Sequence, residues 1–243
     1  MSMGHALLVP GVGAKYTKRI QNLFGNAIIG YYVGGEPNGA VAIDDSGRGF
    51  NGAYTGVTLG QPGIGDGLTC PLYDGANDYM QPPAGFRTAL NGQLFSILLW
   101  AAVSSTAVWE DGTSDSFVRF EVDVNNFTYI RKNTVANGLR FQYSANATSK
   151  FVTDTSLNGS LAFFHAAMTV DLVADQMKAY LNGIQIGTTQ TGLGTFVGAF
   201  DPNRVVIGAT SITPQEPTNG RLQHICVLNR AATPAEVAAA AVI

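Results

Sequence analysis

The feature of this chain that most restricts its fold is a regular alternation between short apolar runs and turn-forming clusters. From Ile28 onward, apolar or alternating segments are separated by groups of Gly, Asn, Asp and Pro. The clearest strand patterns are at Phe95–Val103, Phe117–Val124, Leu139–Tyr143, Ala162–Leu172, Lys178–Leu181, Arg204–Ile207 and Gln223–Leu228. Short strands that recur between turn signals are typical of a β-sandwich or a β-barrel. We therefore predict an all-β domain.

Two glycine-containing pairs indicate where tight hairpin turns fall. Asn137-Gly138 and Asn182-Gly183 each supply two residues that tolerate positive φ, which two-residue hairpin turns require. Glycine is also frequent overall, at 29 of 243 residues, against a typical share of about 7%. This surplus favours a β-rich domain with many tight loops.

Both ends of the chain show helical rather than strand patterns. Within residues 14–24, four apolar side chains recur with helical spacing, and Gly25 follows as a stop signal. These four are Tyr16, Ile20, Leu23 and Phe24. The stripe fits either a helix lying on the domain edge or a docking helix for a larger assembly. Near the other end, Thr233-Pro234-Ala235-Glu236 has the form of a capping box and predicts a second helix.

Charge and hydropathy argue against several classes of function. The chain has 14 Lys and Arg and 17 Asp and Glu, a formal net charge of −3, and its cations are scattered. It lacks the basic stripe with which nucleic-acid binders neutralise phosphates. The longest apolar run, Ile97–Val103, is far shorter than the roughly 18 residues of a membrane-spanning helix. Residues 1–5 lack the basic and apolar parts of a secretory signal. We expect neither nucleic-acid binding nor membrane insertion.

The two cysteines, Cys70 and Cys226, are too few for a disulfide framework and have no paired spacing for zinc. They are either two small buried apolar side chains or a single bridge between distant strands.

The most suggestive catalytic pattern is Glu121-Val122-Asp123-Val124-Asn125. In a strand, Glu121, Asp123 and Asn125 would share one face. Retaining glycoside hydrolysis needs two carboxyl groups about 5–5.5 Å apart, and Asn125 cannot donate a proton as the acid must. We therefore favour a polar sheet face and expect no enzymatic activity. The three histidines, His5, His165 and His224, lie in separate segments without metal-binding spacing. His165 lies in an apolar strand pattern, where we expect a packed or edge side chain rather than a metal ligand or a catalytic base.

Two turn-like clusters combine the oxygen ligands that calcium prefers. They are Asp44-Asp45-Ser46-Gly47 and Asp74-Gly75-Ala76-Asn77-Asp78. Hydrogen bonding within Asx turns explains the same residue types without a metal. The residue types alone leave both interpretations open.

Aromatic residues close to loops are candidates for sugar binding. Trp109-Glu110-Asp111-Gly112 combines a ring that can stack on a sugar with carboxylates that can accept from its hydroxyl groups. Tyr129 lies in a segment of alternating polarity and is a second candidate ring. The predicted ligand-binding residues are therefore Trp109, Asp111 and Tyr129. A turn with a core-anchoring Trp109 explains the first motif equally well.

An ordered set of segments resembles the laminin-G-like, concanavalin-A-like jelly-roll domains, over roughly residues 28–240. The segments are Ile29–Tyr32, Asp44–Gly52, Leu72–Tyr79, Phe95–Trp100, Met168–Asp171, Ala179–Gly183, Val206–Gly208, Asn219–Leu222 and Leu228–Glu236. The resemblance implies two packed antiparallel sheets of about six or seven strands over residues 28–243, with residues 1–27 as an N-terminal arm. It also implies a domain that binds glycans or proteins.

Many domains of this kind hold calcium, and the resemblance implies a ligand at one position. Asp44 matches the family's frequent metal-binding Asp in D-x-S-G. Gln223 stands where the family often has an Asp near the start of its last strand, which weakens the predicted calcium site. No other cofactor is expected.

Residues 14–24 followed by Ile29-Gly30-Tyr31-Tyr32 are similar to standalone proteins encoded among the structural genes of tailed bacteriophages. This resemblance implies a non-enzymatic virion surface protein: a head decoration, tail accessory or adsorption protein. Its expected partners are capsid or tail proteins and host surface glycans, in a homo-oligomer or symmetric array. The apolar stripe of residues 14–24 would then be the assembly contact.

Two alternatives follow from the same residues. One is a secreted or cell-surface bacterial carbohydrate-binding module, which would be extracellular. The other is a glucanase-like hydrolase with a degenerate Glu121–Asn125 strand, which the missing second carboxylate disfavours.

Overall fold

Strands with alternating side chains pair into two antiparallel sheets that pack face to face. The computed structural model describes residues 12–134 and 138–243, and within these ranges each sheet has eight strands. In chain order the strands are β1 (Ile28–Tyr32), β2 (Val41–Ala42), β3 (Gly52–Thr55), β4 (Thr58–Pro62), β5 (Thr69–Asp74), β6 (Tyr79–Gln81), β7 (Leu94–Val103), β8 (Asp115–Asp123), β9 (Asn126–Asn133), β10 (Gly138–Ala145), β11 (Thr148–Asp154), β12 (Phe164–Asp171), β13 (Gln176–Leu181), β14 (Ile184–Gln190), β15 (Val205–Ile207) and β16 (Asn219–Leu228).

The strand order is that of a jelly-roll sandwich. Sheet A runs β14-β13-β12-β7-β16-β5-β4, with β1 also paired to β16. Sheet B runs β11-β10-β9-β8-β15-β6-β3-β2. Chain-distant strands such as β7 and β16 are direct neighbours, as a jelly-roll topology requires. The predicted all-β sandwich is confirmed, with more strands in each sheet than the resemblance implied.

Helical segments lie near the ends of the chain and in two connections. They are α1 (Val12–Phe24), α2 (Ala84–Ala89), α3 (Pro234–Ala240) and 3₁₀ turns at Gly25–Ala27 and Thr106–Glu110. The predicted capping box is confirmed: the Glu236 N–H donates to Thr233 Oγ1 at 3.3 Å, and the Thr233 N–H donates to Glu236 Oε2 at 2.8 Å. The hairpin turn at Asn182-Gly183 is also confirmed, since both residues have positive φ, 48° and 83°. Asn137 lies outside the described residues.

The main core lies between the two sheets. Alternate residues of the strands point inward, and the buried cluster includes Leu99 from sheet A with Phe120, Ile130 and Phe141 from sheet B. Burial of large apolar and aromatic side chains on two facing sheets is what stabilises such a sandwich.

A second apolar cluster covers the outer face of sheet A. Strand β7 is buried on both faces, because Leu98 and Trp100 point away from the main core and still have little solvent exposure. Helix α1 supplies the cover with Tyr16, Ile20 and Phe24, each 3–4% exposed. The apolar stripe of α1 thus packs on its own sheet.

Hydrogen bonds fix α1 to both sheet A and α3. The Trp100 Nε1–H donates to the Tyr16 hydroxyl at 2.8 Å, and that hydroxyl donates to the Ala240 carbonyl at 2.6 Å. The arrangement satisfies two buried polar side chains at a helix–sheet interface, as burial requires.

These contacts correct the expectation that the stripe of α1 is an assembly contact. Tyr16, Ile20 and Phe24 are buried inside this chain, and the half-buried Leu23 packs against the same cluster. The first interpretation, a helix lying on the domain, is the one that the structure supports. Residues 12–27 therefore belong to the folded domain rather than to a separate arm, and residues 1–11 lie outside the described residues.

Two further sequence-based expectations have a structural outcome. Cys70 and Cys226 are free and buried, which confirms the interpretation as small apolar core residues. In the part of the chain that the structure describes, no helix has the length and apolar character needed to cross a bilayer.

Ile20→Asp should destabilise the whole domain, because it places a carboxylate between α1 and sheet A. We expect a loss of more than about 3 kcal/mol in the free energy of unfolding. The matched control is Asn22→Asp, which adds the same charge at an exposed position of the same helix. Urea denaturation measures both. Equal stability of the two variants would show that α1 is dispensable for the fold.

Candidate functional site

The outer face of sheet B carries polar and aromatic side chains in ordered rows. Its inward positions, such as Phe120, Ile130 and Phe141, belong to the main core, so the alternate positions face outward. We call this surface the outer B face. The strand register places on it Arg204, Glu121, Phe127 and Ser144 in one row, Arg119, Tyr129, Gln142 and Phe151 in the next, and Arg131, Arg140 and Thr153 in the third.

Arginine side chains lie against the aromatic rings of this face. The guanidinium carbon of Arg131 is 4.3 Å from the ring centroid of Tyr129, and that of Arg140 is 4.2 Å from that of Phe151. Arg119 lies 4.7 Å from the centroid of Phe127. Cation–π stacking holds a planar guanidinium flat and leaves its N–H edges available for hydrogen bonds.

Two glutamates neutralise part of this positive charge. The Arg119 Nε–H donates to Glu121 Oε2 at 2.6 Å, and Arg204 Nη1 donates to Glu121 Oε1 at 2.9 Å. Arg131 Nη1 lies 2.7 Å from Glu216 Oε2, in the loop before β16. The acidic side chains therefore hold three arginines in place.

Arg140 differs from Arg119, Arg131 and Arg204 in having no acidic partner among the described residues. Its Nε–H donates to the Thr153 hydroxyl at 3.2 Å, and it forms no ion pair with any of the residues that the structure describes. Beside it, the Tyr129 hydroxyl donates to Gln142 Oε1. The positive charge at the β10–β11 side of the face thus has no acidic partner.

Solvent reaches the outer B face at its two sides. Phe151 on β11 is 48% exposed, and the Arg204 side chain at the other side is 43% exposed. A cleft of about 390 Å³ adjoins Arg204. Its other lining residues are Asp201, Asn203, Ser211, Ile212, Thr213 and Gln215. Rings, amides, hydroxyls and guanidinium groups along one surface suit a polyhydroxylated ligand.

The structure places the predicted sugar-binding residues in different environments. Tyr129 lies on the outer B face, where two arginines cover its ring. Trp109 is fully buried, donates its Nε1–H to the Ser160 carbonyl at 2.9 Å, and belongs to the main core. The prediction that Trp109 binds ligand is therefore wrong, and the core-anchoring interpretation is correct. Sequence reasoning missed Phe151, because β11 showed no clear strand pattern, and it missed Arg140, because the predicted strand Leu139–Tyr143 did not reveal which side chains surround that arginine.

Asp111 has a structural partner. It pairs with the ammonium group of Lys132, a fully buried lysine that also donates to the Thr113 carbonyl at 2.7 Å. Buried Asp115 lies 3.7 Å from the same ammonium group. Burial raises the pKa of Asp115 to about 6, while hydrogen bonds from Lys132 and Thr113 outweigh burial at Asp111 and lower its pKa. Asp111 thus stabilises an internal cation through Oδ1, while its side chain stays 32% exposed. Its predicted role in ligand binding stays a prediction.

The geometry at Asp44 does not fit a calcium ligand. Its carboxylate accepts hydrogen bonds from the backbone N–H groups of Tyr31, Ser46 and Phe50 at 2.9–3.0 Å, and from the Ser46 hydroxyl at 2.7 Å. Gln223 is buried and hydrogen-bonded to the backbone of Ile64. Across residues 12–134 and 138–243, no three His, Cys, Asp or Glu side chains converge as metal ligands. The Asx-turn interpretation of Asp44 is the one its contacts support.

The predicted catalytic strand ends before its last residue. Strand β8 stops at Asp123, and the Asn125 N–H donates to Asp123 Oδ1 in the turn that follows. The expectation that Glu121, Asp123 and Asn125 share a strand face is therefore wrong for Asn125. Both carboxylate oxygens of Glu121 are bound by arginines, which leaves neither free to attack a sugar ring.

A buried Asp–His–Tyr network lies beneath α1, and sequence reasoning did not find it. His224 Nε2 lies 2.8 Å from Asp66 Oδ2, and His224 Nδ1 lies 2.7 Å from the Tyr31 hydroxyl. Burial lowers the pKa of His224 although Asp66 opposes this shift. The neutral imidazole then donates to Asp66 and accepts from Tyr31. The Asp66 and His224 side chains are fully buried, so the network positions β16 and α1 rather than a substrate.

The comparison with protein families agrees with the sheet topology. Residues 74–238 match Laminin_G_3, a domain of the concanavalin A-like lectin/glucanases superfamily. This match covers more than half of the chain, and the chain belongs to that family. Among curated protein sequences, none matches it.

Solved structures with the same fold include carbohydrate-active and toxin domains. Domain 4 of AbnA, a GH43 extracellular arabinanase from Geobacillus stearothermophilus solved with arabinotriose, is 18% identical with a TM-score of 0.61, covering 88% of this chain and 98% of that one. The binding domain of botulinum neurotoxin serotype D is 13% identical with a TM-score of 0.64, covering 88% and 51%. Botulinum neurotoxin type C, whose cell entry depends on two ganglioside molecules, is 17% identical with a TM-score of 0.63, covering 89% and 51%. This chain spans about half of the toxin chains. These similarities show a shared fold.

Lys132→Met should destabilise the domain, because it leaves Asp115 buried without its cation. Removal of one partner from a buried ion pair costs about 3–5 kcal/mol. Lys15→Met removes the same charge at an exposed position of α1 and should have little effect. Urea denaturation of both variants checks this. A stable Lys132→Met protein would contradict a structural role for the internal cation.

Asp45→Asn should stabilise the protein at neutral pH only. Asp45 lines a cleft of about 940 Å³ beside α1, and burial, Glu36 and Asp44 raise its pKa from 3.8 to about 6. The charged carboxylate therefore destabilises the fold above pH 6, and below about pH 4 it is protonated in both the folded and the unfolded state. Allowing for solvent screening at this half-buried site, we expect a gain of about 1 kcal/mol at pH 7.5. Urea denaturation at pH 7.5 and pH 4 measures it, and an equal gain at both pH values would contradict the assignment.

Proposed function

We propose that this protein is a non-enzymatic, glycan-binding jelly-roll protein on the surface of a tailed-phage particle. The observation that carries the glycan-binding part is the outer B face. The β10–β11 side of this face combines an exposed aromatic ring at Phe151, the amide of Gln142 and the guanidinium of Arg140. A ring can stack on the apolar face of a sugar while the polar groups bind its hydroxyls.

The comparisons support a carbohydrate-binding role without naming a ligand. The family is one of lectins and glucanases, and the AbnA domain that shares this fold was solved with arabinotriose. That domain matches almost its whole length to this chain. A sandwich of this size can therefore exist as one module of a larger extracellular enzyme.

The placement on a virion rests on the resemblance of residues 14–32 to standalone phage proteins. Because the stripe of α1 is buried, contacts with capsid or tail proteins must use another surface. Assembly into a homo-oligomer or symmetric array is part of the same proposal.

The second candidate, a secreted or cell-surface carbohydrate-binding module, is favoured by the full-length match to the AbnA domain. A hydrolase that uses Glu121 is disfavoured, because Arg119 and Arg204 bind both of its carboxylate oxygens and Asn125 lies in a turn.

Phe151→Ser should weaken glycan binding without unfolding the protein. We expect the purified full chain to bind at least one polysaccharide in a panel, and Phe151→Ser to weaken that binding by about tenfold or more, as loss of an aromatic contact does. Val173→Ser replaces an apolar side chain that is 98% exposed in sheet A's β12–β13 turn and should bind like the unaltered chain. Isothermal titration calorimetry measures both. Failure of the unaltered chain to bind any member of the panel would overturn the proposed function.

Immunogold electron microscopy of particles and cells from the source organism tests the location. Label at regular positions on a capsid or tail supports the virion proposal. Label on cells, or only in the medium, overturns it and favours the secreted module.

A further inference from the structure

We propose that the outer B face binds an acidic saccharide, whose carboxylate or sulfate pairs with Arg140 while its ring contacts Phe151. This inference rests on the proposed glycan-binding function and names the chemical class of the glycan. It follows from the distribution of charge on the face.

Three of the four arginines on the face already have acidic partners. Arg119 and Arg204 share Glu121, and Arg131 pairs with Glu216. Arg140 lies directly opposite Arg131 in the β9–β10 register, yet no carboxylate in the described part of the chain pairs with it. The face therefore has one stacked guanidinium whose charge is not neutralised, in a chain whose formal net charge is −3.

The orientation of Arg140 suits a planar anion. Its guanidinium is stacked on Phe151, and its Nε–H is directed at Thr153. The guanidinium also hydrogen-bonds to the Tyr129 hydroxyl, which itself donates to Gln142. A guanidinium has five N–H donors, so it can still present an N–H edge to the oxygens of a carboxylate. Because stacking already restricts the side chain, little conformational entropy is lost when an anion binds.

The surroundings of Arg140 favour a sugar over a simple anion. Gln142 lies one row away with its Nε2 3.4 Å from the Ser149 hydroxyl, and Phe151 is 48% exposed. A ring, an amide and a hydroxyl next to the cation can bind the hydroxyl groups and apolar face of a saccharide, which a bare anion lacks.

Calorimetry with matched polymers tests the inference. The probes are polygalacturonate, its fully methyl-esterified neutral form, dextran sulfate and neutral dextran. We expect the full chain to bind at least one acidic polymer about tenfold or more tightly than its neutral counterpart, and Arg140→Gln to remove that preference. A carboxylate ligand is indicated by polygalacturonate binding, and a sulfate ligand by dextran sulfate binding.

Control variants separate the outcomes. Arg87→Gln removes a half-buried arginine on α2, away from the outer B face, and should leave every affinity unchanged. Melting temperatures show whether Arg140→Gln is folded, and Arg140→Lys provides a second test that keeps the charge but loses the planar edge.

Polyglutamate binding as tight as polygalacturonate binding would overturn recognition of a saccharide. Equal affinity for acidic and neutral polymers, unchanged by Arg140→Gln, would overturn the acidic preference and leave glycan binding intact. Absence of binding to any polysaccharide would overturn the proposed function itself.

Discussion

The central strands of sheet A carry apolar side chains on both faces, and the rest of the structure depends on covering the second face. Trp100 and Leu98 point away from the sandwich core, so water must be excluded from them by another element. Helix α1 provides that cover, and the Trp100–Tyr16–Ala240 hydrogen bonds fix it there. The covered face is therefore part of the core of the domain.

The opposite face of the molecule has the reverse character. The outward positions of β8, β9 and β10 are arginine, glutamate, glutamine and aromatic residues, which need no cover. The two sheets therefore differ in the role of their outer faces: sheet A's outer face belongs to the core of the domain, and the outer B face is the one that we propose as the ligand-binding surface. Within that face, Glu121 and Glu216 form ion pairs with three arginines, and Arg140 has no acidic partner among the residues that the structure describes.

Several polar side chains in this domain are of the types found in ligand sites, but they contact other groups of the protein. Asp44 accepts hydrogen bonds from backbone N–H groups of its own turn and of strand β1, and Asp111 binds the buried Lys132 ammonium through Oδ1. The Asp66–His224–Tyr31 network has the partners of an acid–base site, yet it is sealed beneath α1. At Asp44 and in the Asp66–His224–Tyr31 network, burial and protein hydrogen bonds satisfy the polar groups.

The sequence by itself determined the strands with strong alternation, the capped C-terminal helix, the Asn182-Gly183 turn and the jelly-roll class, because each depends on local periodicity or turn chemistry. It also showed that residues 14–24 form an amphipathic helix, but not what that helix packs against. Strand β9 was not among the clearest strand patterns, because its last residues, Lys132 and Asn133, are both polar and both buried, which ends the alternation around Tyr129. The sequence also did not distinguish buried from exposed aromatic residues: Trp109 is buried, and Phe151 is exposed. Only the tertiary structure decided that Trp109 is buried in the core and that Arg131 and Arg204 have acidic partners, because those contacts join segments that are distant in the chain.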